Sequence, residues 1–320
     1  MTRVGAVDCG TNSIRLLVAD LVPGPGDVPV LREVTREMEV VRLGQGVDAT
    51  GHLDDQALGR TLAVAERYAE TCRDAGCEAV RFVATSATRD ADNADEFVAG
   101  VGRAFAEFRA LPEVISGDEE ARLSFVGATA PLRAEGSAPG PYLVADIGGG
   151  STELVRGQAE ADEAVSLAIG SVRLTERHLQ HVDPPGEEEV WPALGDITAA
   201  LDRAAEEVAL QEVGCLIGVA GSITTVTAHA LGLDSYRRDR IHGAELPVED
   251  VVHACTDLVR MTRERRAALP YMHPGRVDVI GAGALIWRSI VQRVAHDADL
   301  RTVRASESDI LDGIALSLAR

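Results

Sequence analysis

Short apolar runs bounded by glycine, proline or small polar residues alternate along this chain with stretches whose apolar positions recur at helical spacing. Residues 4–7 and 15–21 read as buried strands, and strand signals continue through 28–43 until Gly44-Gln45-Gly46 turns the chain out. Asp54 or Asp55 then caps a helix running to about Cys72, with Leu58, Leu62, Ala65 and Ala69 near helical spacing. Residues 79–84 form a short buried strand ended by Thr85-Ser86-Ala87-Thr88-Arg89. A helix over 94–108, a strand over 113–115 and a break at Ser116-Gly117 follow, with Asp118 as the cap of a helix over 119–130. This order predicts a mixed sheet flanked by helices.

The polar, Pro/Gly-rich segment 131–141 reads as a loop or linker. A second half then opens with a buried strand over 142–145, a returning strand over 153–156 and a strand over 164–169 that turns at Gly170-Ser171. A helix-rich stretch over 186–210 leads to a strand over 215–220 that ends in Gly221-Ser222. Helices over 248–262, 276–293 and 309–318 complete the chain.

The two halves begin alike. Asp8-Cys9-Gly10-Thr11-Asn12-Ser13-Ile14-Arg15-Leu16 aligns without a gap on Asp146-Ile147-Gly148-Gly149-Gly150-Ser151-Thr152-Glu153-Leu154. Each copy is an apolar strand, an aspartate at its end, a glycine-bearing turn, a hydroxyl residue and a returning strand. Glycine lets backbone approach a ligand, and the bare N–H groups of such turns form an anion-binding concavity. An aspartate beside it, Asp8 or Asp146, can hold a divalent metal against phosphate oxygens. Two such hairpins facing each other would grip a phosphate chain from both sides, so a duplicated α/β domain with an interdomain cleft is expected.

Composition narrows the chemistry. At 320 residues two domains are expected, and 46% apolar residues support ordinary globular packing. No apolar run reaches the roughly 18–20 residues of a membrane span, and the N-terminus lacks a secretory pattern. A soluble cytoplasmic protein, without membrane association, is the expectation. Five cysteines contain no CxxC pair and read as buried reduced thiols; Cys72 and Cys77 lie at a predicted helix end with no histidine near enough for zinc. A net charge of −20 argues against nucleic acid as a partner. All 31 cationic residues are arginine, which removes the P-loop lysine and Schiff-base chemistry. Phosphates would be met by arginine forks, backbone N–H groups and metal. Arg237-Arg238 with Arg240, and Arg263 with Arg265-Arg266, are candidate basic entrances, though each also reads as a solvated face.

Three carboxylates, Asp118, Glu119 and Glu120, open one predicted helix. Glu119 and Glu120 point about 100° apart, so one can enter a cleft while the other stays solvated. A carboxylate near a metal-bound phosphoryl group can take the proton of an attacking water. Arg89 and its neighbouring hydroxyls sit at the C-terminal end of a strand, where ligands of α/β sheets bind, although alone Arg89 reads as a surface ion pair. Gly170-Ser171, Gly221-Ser222 and Gly281-Ala282-Gly283 suit packing and phosphate contact alike. No histidine spacing fits a transition metal.

At VDCGTNSIRLLVAD (7–20), ATSATRDADN (84–93), VISGDEEARLSF (114–125) and LVADIGGGSTELV (143–155) the chain resembles the exopolyphosphatase/guanosine pentaphosphate phosphatase (Ppx/GppA) family of the actin-like superfamily. Weaker likenesses at 169–174, 221–228, 276–286 and 310–316 extend the resemblance over essentially the whole chain. It implies an α/β fold of two actin-like (ribonuclease H-like) lobes with an interdomain cleft. The lobes would be 1–130 plus 303–320 and 131–302, the C-terminal helix returning to the first. It implies Mg²⁺-dependent hydrolysis of a terminal phosphoanhydride, with Mn²⁺ as an alternative ion. Glu120 falls on the family's general base, Asp146 and Glu153 on its metal carboxylates, and Arg89 on its phosphate-contacting arginine. Gly10, Thr11, Asn12 and Ser13, with Gly148, Gly149, Gly150 and Ser151, fall on its phosphate loops.

Two departures affect the substrate. The family often ends in Leu-Arg-Glu-Gly where this chain has Ile310-Leu311-Asp312-Gly313, so an arginine contact is lost, and nothing here corresponds to the longer relatives' C-terminal helical region. The leading expectation is therefore an exopolyphosphatase favouring short chains. Guanosine pentaphosphate is the sister substrate, and a homodimer is the assembly expected with either. An actin-like kinase or nucleotide module, for which Gly281-Ala282-Gly283 is a partial fit, and a non-hydrolytic phosphate-binding regulator are the competing readings.

Overall fold

A strand that is buried on both faces reads as an unbroken apolar run, and one such strand stands at the middle of each of two sheets. The computed structural model describes residues 2–24, 29–135 and 139–319. The chain divides into two compact units, residues 1–127 with 310–320 and residues 128–309.

In the first unit β1 (Thr2–Cys9) is buried from Val4 to Cys9 and pairs antiparallel with β2 (Ser13–Pro23), which pairs in turn with β3 (Pro29–Val40). The short α1 (Val47–Thr50) precedes α2 (Asp55–Asp74), whose N-cap is Asp54: its carboxylate accepts from the N–H groups of Gln56 and Ala57. The strand β4 (Ala79–Ala84) adds parallel to β1, and then come a single turn, α3 (Ser86–Arg89), and α4 (Ala94–Ala104). The expected helix over 94–108 thus closes early; a 3₁₀ turn, Ala106–Phe108, follows it. The parallel β5 (Glu113–Val114) completes the sheet order β3-β2-β1-β4-β5. Val28, where strand signals began, lies outside the described residues.

α5 (Gly117–Glu135) departs from expectation at both ends. It starts before Asp118, and its cap is Ser116, whose hydroxyl accepts from the Glu119 N–H at 3.2 Å. It also continues through Pro131 to Glu135, where a loop was expected. Proline lacks a donor, so the Gly127 carbonyl loses its helical partner, yet the helix holds.

The second unit repeats the plan. β6 (Tyr142–Ile147) is wholly buried and pairs antiparallel with β7 (Thr152–Gly157), which pairs with β8 (Ala161–Leu167). After α6 (Ser171–His178) and α7 (Glu187–Glu207), β9 (Cys215–Val219) joins parallel to β6. Next come α8 (Ala220–Ala230), α9 (Arg238–Ile241), β10 (Glu245–Pro247), α10 (Val248–Arg260), α11 (Arg263–Ala267) and α12 (Ile280–Asp297). β11 (Thr302–Ala305) lies parallel to β9, giving β10-β11-β9-β6-β7-β8. Three antiparallel strands continued by two parallel ones occur in both sheets, and only β10 is additional. Its core gathers the inward faces of the sheet and of α7, α8, α10 and α12 around Trp287.

The last helix, α13 (Ile310–Leu316), belongs to the first unit. Ile310, Leu311, Ile314 and Ala315 pack with Val4, Ala6, Leu17, Val83 and Leu123. Leu311 is thus a core residue, so an apolar side chain suits the position where the resemblance implied an arginine. Asp312 instead meets the Arg36 guanidinium at 2.8 Å.

Candidate active site

Both repeated turns close in the same way. The Gly10 N–H donates to the Ser13 carbonyl at 3.0 Å, and the Gly148 N–H donates to the Ser151 carbonyl at 3.0 Å. These two N–H groups are therefore engaged within the turns and are not bare, as the sequence pattern suggested. The carbonyls are tied down from behind. Thr11 accepts from the Gly44 N–H, and Asn12 from those of Val41 and Arg42. In the second copy Gly148 accepts from the Ser171 N–H, and Gly149 from those of Val172 and Arg173 at the start of α6. In a trans peptide the N–H points opposite to the carbonyl. Anchoring these oxygens therefore turns the N–H groups of Asn12, Gly149 and Gly150 away from the scaffold, as an anion cradle requires.

Close approach makes this anchoring conditional on two glycines. A Cβ on Gly44 would lie 2.4 Å from the Thr11 methyl, and one on Gly170 would lie 2.4 Å from the Gly149 carbonyl oxygen. Both are visible in the sequence as turn residues; that each presses on one of the repeated turns is not.

The charges beside the two turns differ. Strand register sets Asp8 opposite Arg15 and Asp146 opposite Glu153. Directly opposed residues present their side chains on one face, with Cβ atoms about 5 Å apart. In the first unit Arg15 donates to one Asp8 oxygen through Nε at 2.8 Å and Nη2 at 2.6 Å, closing a pair whose carboxylate is buried. In the second unit the equivalent positions are two buried carboxylates, and the Ser166 hydroxyl orients Glu153 at 2.7 Å. Two carboxylates on one face suit a hard cation. No group of three or more His, Cys, Asp or Glu forms a metal cluster among the described residues. An ion such as Mg²⁺ takes one or two protein carboxylates and fills its shell with water and phosphate oxygens. At Asp8 such an ion would compete with Arg15.

The first unit brings Glu120 and Arg89 together. Thr85 is fixed by its N–H to the Cys9 carbonyl at 3.1 Å, which holds α3 at the end of β1. From α3, Arg89 Nη1 donates to the Ile115 carbonyl at 2.9 Å and to Glu120 at 3.2 Å. The pair is half-buried rather than a surface ion pair: the side chains are 29% and 11% exposed. Glu119 points elsewhere, to Arg81 at 3.3 Å. The buried Thr88 hydroxyl beside Arg89 has no protein partner.

Gly221 and Ser222 lie in the first turn of α8, following Ala220 at φ 70°. Non-glycine residues at positive φ are uncommon and collect at functional sites. A Cβ on Gly221 would meet the Arg276 guanidinium carbon at 2.3 Å, so that cation lies on the turn. Sequence reading treated Arg276 as a helix start, and no local pattern marked its destination. Nearby, the Tyr236 hydroxyl donates to Glu307 and burial pushes the Glu307 carboxyl above its ordinary range.

A model of the Ppx/GppA phosphatase family matches residues 18–318. The chain is 46% identical over 323 residues to exopolyphosphatase 2 of Mycobacterium tuberculosis, covering all of this chain and 99% of the relative. A bifunctional 3-dehydroquinate synthase/phosphatase of Fusobacterium nucleatum is 30% identical over 97% of this chain and 46% of its own length. Among solved structures, an exopolyphosphatase-like protein superposes with TM-score 0.92 at 41% identity, covering 98% of each chain. The Aquifex aeolicus Ppx-GppA enzyme gives 0.79 at 28% identity and 99% coverage of each. The two-lobed actin-like α/β fold is thereby established. No helix among the described residues is long and apolar enough to cross a membrane.

Removing one partner of a buried ion pair strands the other charge. Arg15→Leu should therefore lower the stability of the first unit by about 3 kcal/mol, read as a lower denaturant midpoint. Adding Asp8→Asn should recover part of that loss, because the stranded carboxylate is then gone.

Proposed function

The chain belongs to the Ppx/GppA phosphatase family, and on that premise and its geometry we propose that it hydrolyses the terminal phosphoanhydride of inorganic polyphosphate. The observation that carries this reading is the Arg89–Glu120 pair, a half-buried cation and a buried carboxylate 3.2 Å apart at the end of β4 and the start of α5. Such a pair supplies both needs of phosphoryl transfer to water, charge neutralisation on the phosphoryl oxygens and a proton acceptor.

In this reading Arg89 binds the terminal phosphate and the Asn12 N–H the phosphate next to it, while the N–H groups of Gly149 and Gly150 offer the second unit's own anion contact. Glu120 orients a water and takes its proton as the water oxygen bonds to phosphorus. The bond from phosphorus to the bridging oxygen breaks, and the chain leaves one phosphate shorter. Its hold on the Ile115 carbonyl keeps Arg89 in position as Glu120 changes charge. Asp146 and Glu153 would hold Mg²⁺, with Mn²⁺ as the alternative. When bound, the ion neutralises charge on the phosphate oxygens that no lysine here can cover. Gly221, Ser222 and Arg276 offer a further anion contact.

Glu120→Gln keeps the shape and loses the base. Turnover should fall by roughly 10²–10⁴-fold with substrate binding retained, whereas Glu119→Gln should be close to unchanged; the reverse ranking in a phosphate-release assay would move the role to Glu119. Asp146→Asn should raise the Mg²⁺ concentration giving half-maximal rate, and full wild-type activity in excess chelator would refute the metal assignment.

Substrate choice is tested by phosphate release from polyphosphates of defined length and from guanosine pentaphosphate, side by side. The net charge of −20 repels long polyanions, so short chains should be preferred and long ones released after each cleavage. Partial digestion of a long chain should give a ladder on a gel, while full-length material beside free phosphate would overturn the distributive reading. Faster release from guanosine pentaphosphate than from every polyphosphate would reassign the substrate.

A further inference from the structure

The C-terminus of α2 holds two cysteines that this reaction does not use. The helix ends in a Schellman turn: Gly76, at φ 73°, donates its N–H to the Arg73 carbonyl at 2.9 Å, and Cys77 donates to the Cys72 carbonyl at 3.0 Å. That turn brings together the side chains at its two outer positions, which hydrophobic residues usually fill. Here both are cysteine. Their sulfurs converge on one spot of β1, with Cys72 Sγ 2.8 Å and Cys77 Sγ 3.6 Å from a Cβ placed on Gly5. The two side chains thus pack on the same backbone position from the two outer ends of the turn. Cys72 is buried and Cys77 half-buried. Arg3 stands beside them, donating to the Ala75 carbonyl at 2.9 Å and pairing with Asp20 at 2.8 Å.

We propose that Cys72 and Cys77 form a reversible redox site, in which a hydroperoxide oxidises Cys77 and Cys72 resolves the product to an intramolecular disulfide. The Cys77 thiolate attacks one oxygen of hydrogen peroxide, the O–O bond breaks, and hydroxide leaves to become water. The Cys77 sulfenic acid so formed is attacked by the Cys72 sulfur. The S–O bond breaks, a second water leaves with the Cys72 proton, and the S–S bond forms. Two thiols lose two electrons, and one peroxide gains them.

The surroundings divide these roles. Cys77 is the more accessible sulfur. Cys72 beside it holds its thiol below the ordinary cysteine range, with Arg3 assisting against burial. By contrast, burial pushes the thiols of Cys9, Cys215 and Cys255 up, and neighbouring Cys77 together with burial raises that of Cys72, which leaves Cys77 as the first nucleophile and Cys72 to act only on the sulfenic acid. The ring closed between positions 72 and 77 is short and removes little chain entropy, so the bond is not a structural staple. A resolving thiol packed on the same glycine instead protects Cys77 from irreversible oxidation.

The test treats reduced, folded protein with hydrogen peroxide, alkylates free thiols under denaturing conditions, and maps peptides by mass spectrometry. The expected product lacks two hydrogens, links Cys72 to Cys77, and reverts with dithiothreitol. Cys72→Ser should accumulate a sulfenic acid at Cys77 that dimedone captures, while Cys77→Ser should leave Cys72 unoxidised. Full alkylation of both cysteines in peroxide-treated wild-type protein would overturn the proposal, whatever the variants do. So would a link that forms only after unfolding, or oxidation of Cys77 to sulfinic acid without a link.

Discussion

Carbonyl anchoring of two glycine turns is the constraint on which the rest of the site depends. A turn presents N–H groups to an anion only if its carbonyl oxygens are held on the opposite side, and each anchor must bring a second backbone segment into near contact. Gly44 does this for Thr11, and Gly170 for Gly149. A side chain at either position would push the anchoring segment off, and the turn would be free to rotate its carbonyls toward the ligand. The cradles are thus made by residues distant in sequence from the turns themselves.

On that shared scaffold the two copies have diverged in charge. The strand register that sets Asp8 against Arg15 also sets Asp146 against Glu153. One substitution of sign converts an internally neutral pair into a site with a demand for cation. In an acidic protein without lysine, a carboxylate pair of this kind calls for an outside cation where the first copy has an arginine of its own. The first unit keeps a further cation, Arg89, proposed as its phosphate partner, beside the carboxylate proposed as the base.

The start of α5 separates two adjacent glutamates by simple helical geometry. Capping by Ser116 fixes where the helix begins, and the rotation of one residue then sends Glu119 to Arg81 and Glu120 to Arg89. The Ser116 hydroxyl closes that first turn by accepting from the Glu119 N–H at 3.2 Å, and Glu120 is the buried carboxylate of the two.

Local pattern carried much of this protein. The apolar strands, the duplicated aspartate–glycine turns and the Asp54 cap were legible because each depends on nearby residues, and the ordered motifs identified the family. Other features were decided by partners far along the chain. Asp8 and Asp146 look equivalent as residues, and only pairing across the hairpin separates an occupied carboxylate from a carboxylate pair. Leu311 looked like a lost anion contact until packing set it in a core with Val4 and Leu17. α5 continues past Pro131 although proline signals a break, the missing donor being only one bond in a long helix. β10 and β11 were missed because three- and four-residue strands have too few side chains for a period, and pairing alone defines them. Sequence fixes periodicity and turn chemistry through neighbours a few residues apart; close approach, register and burial arise only when distant segments meet.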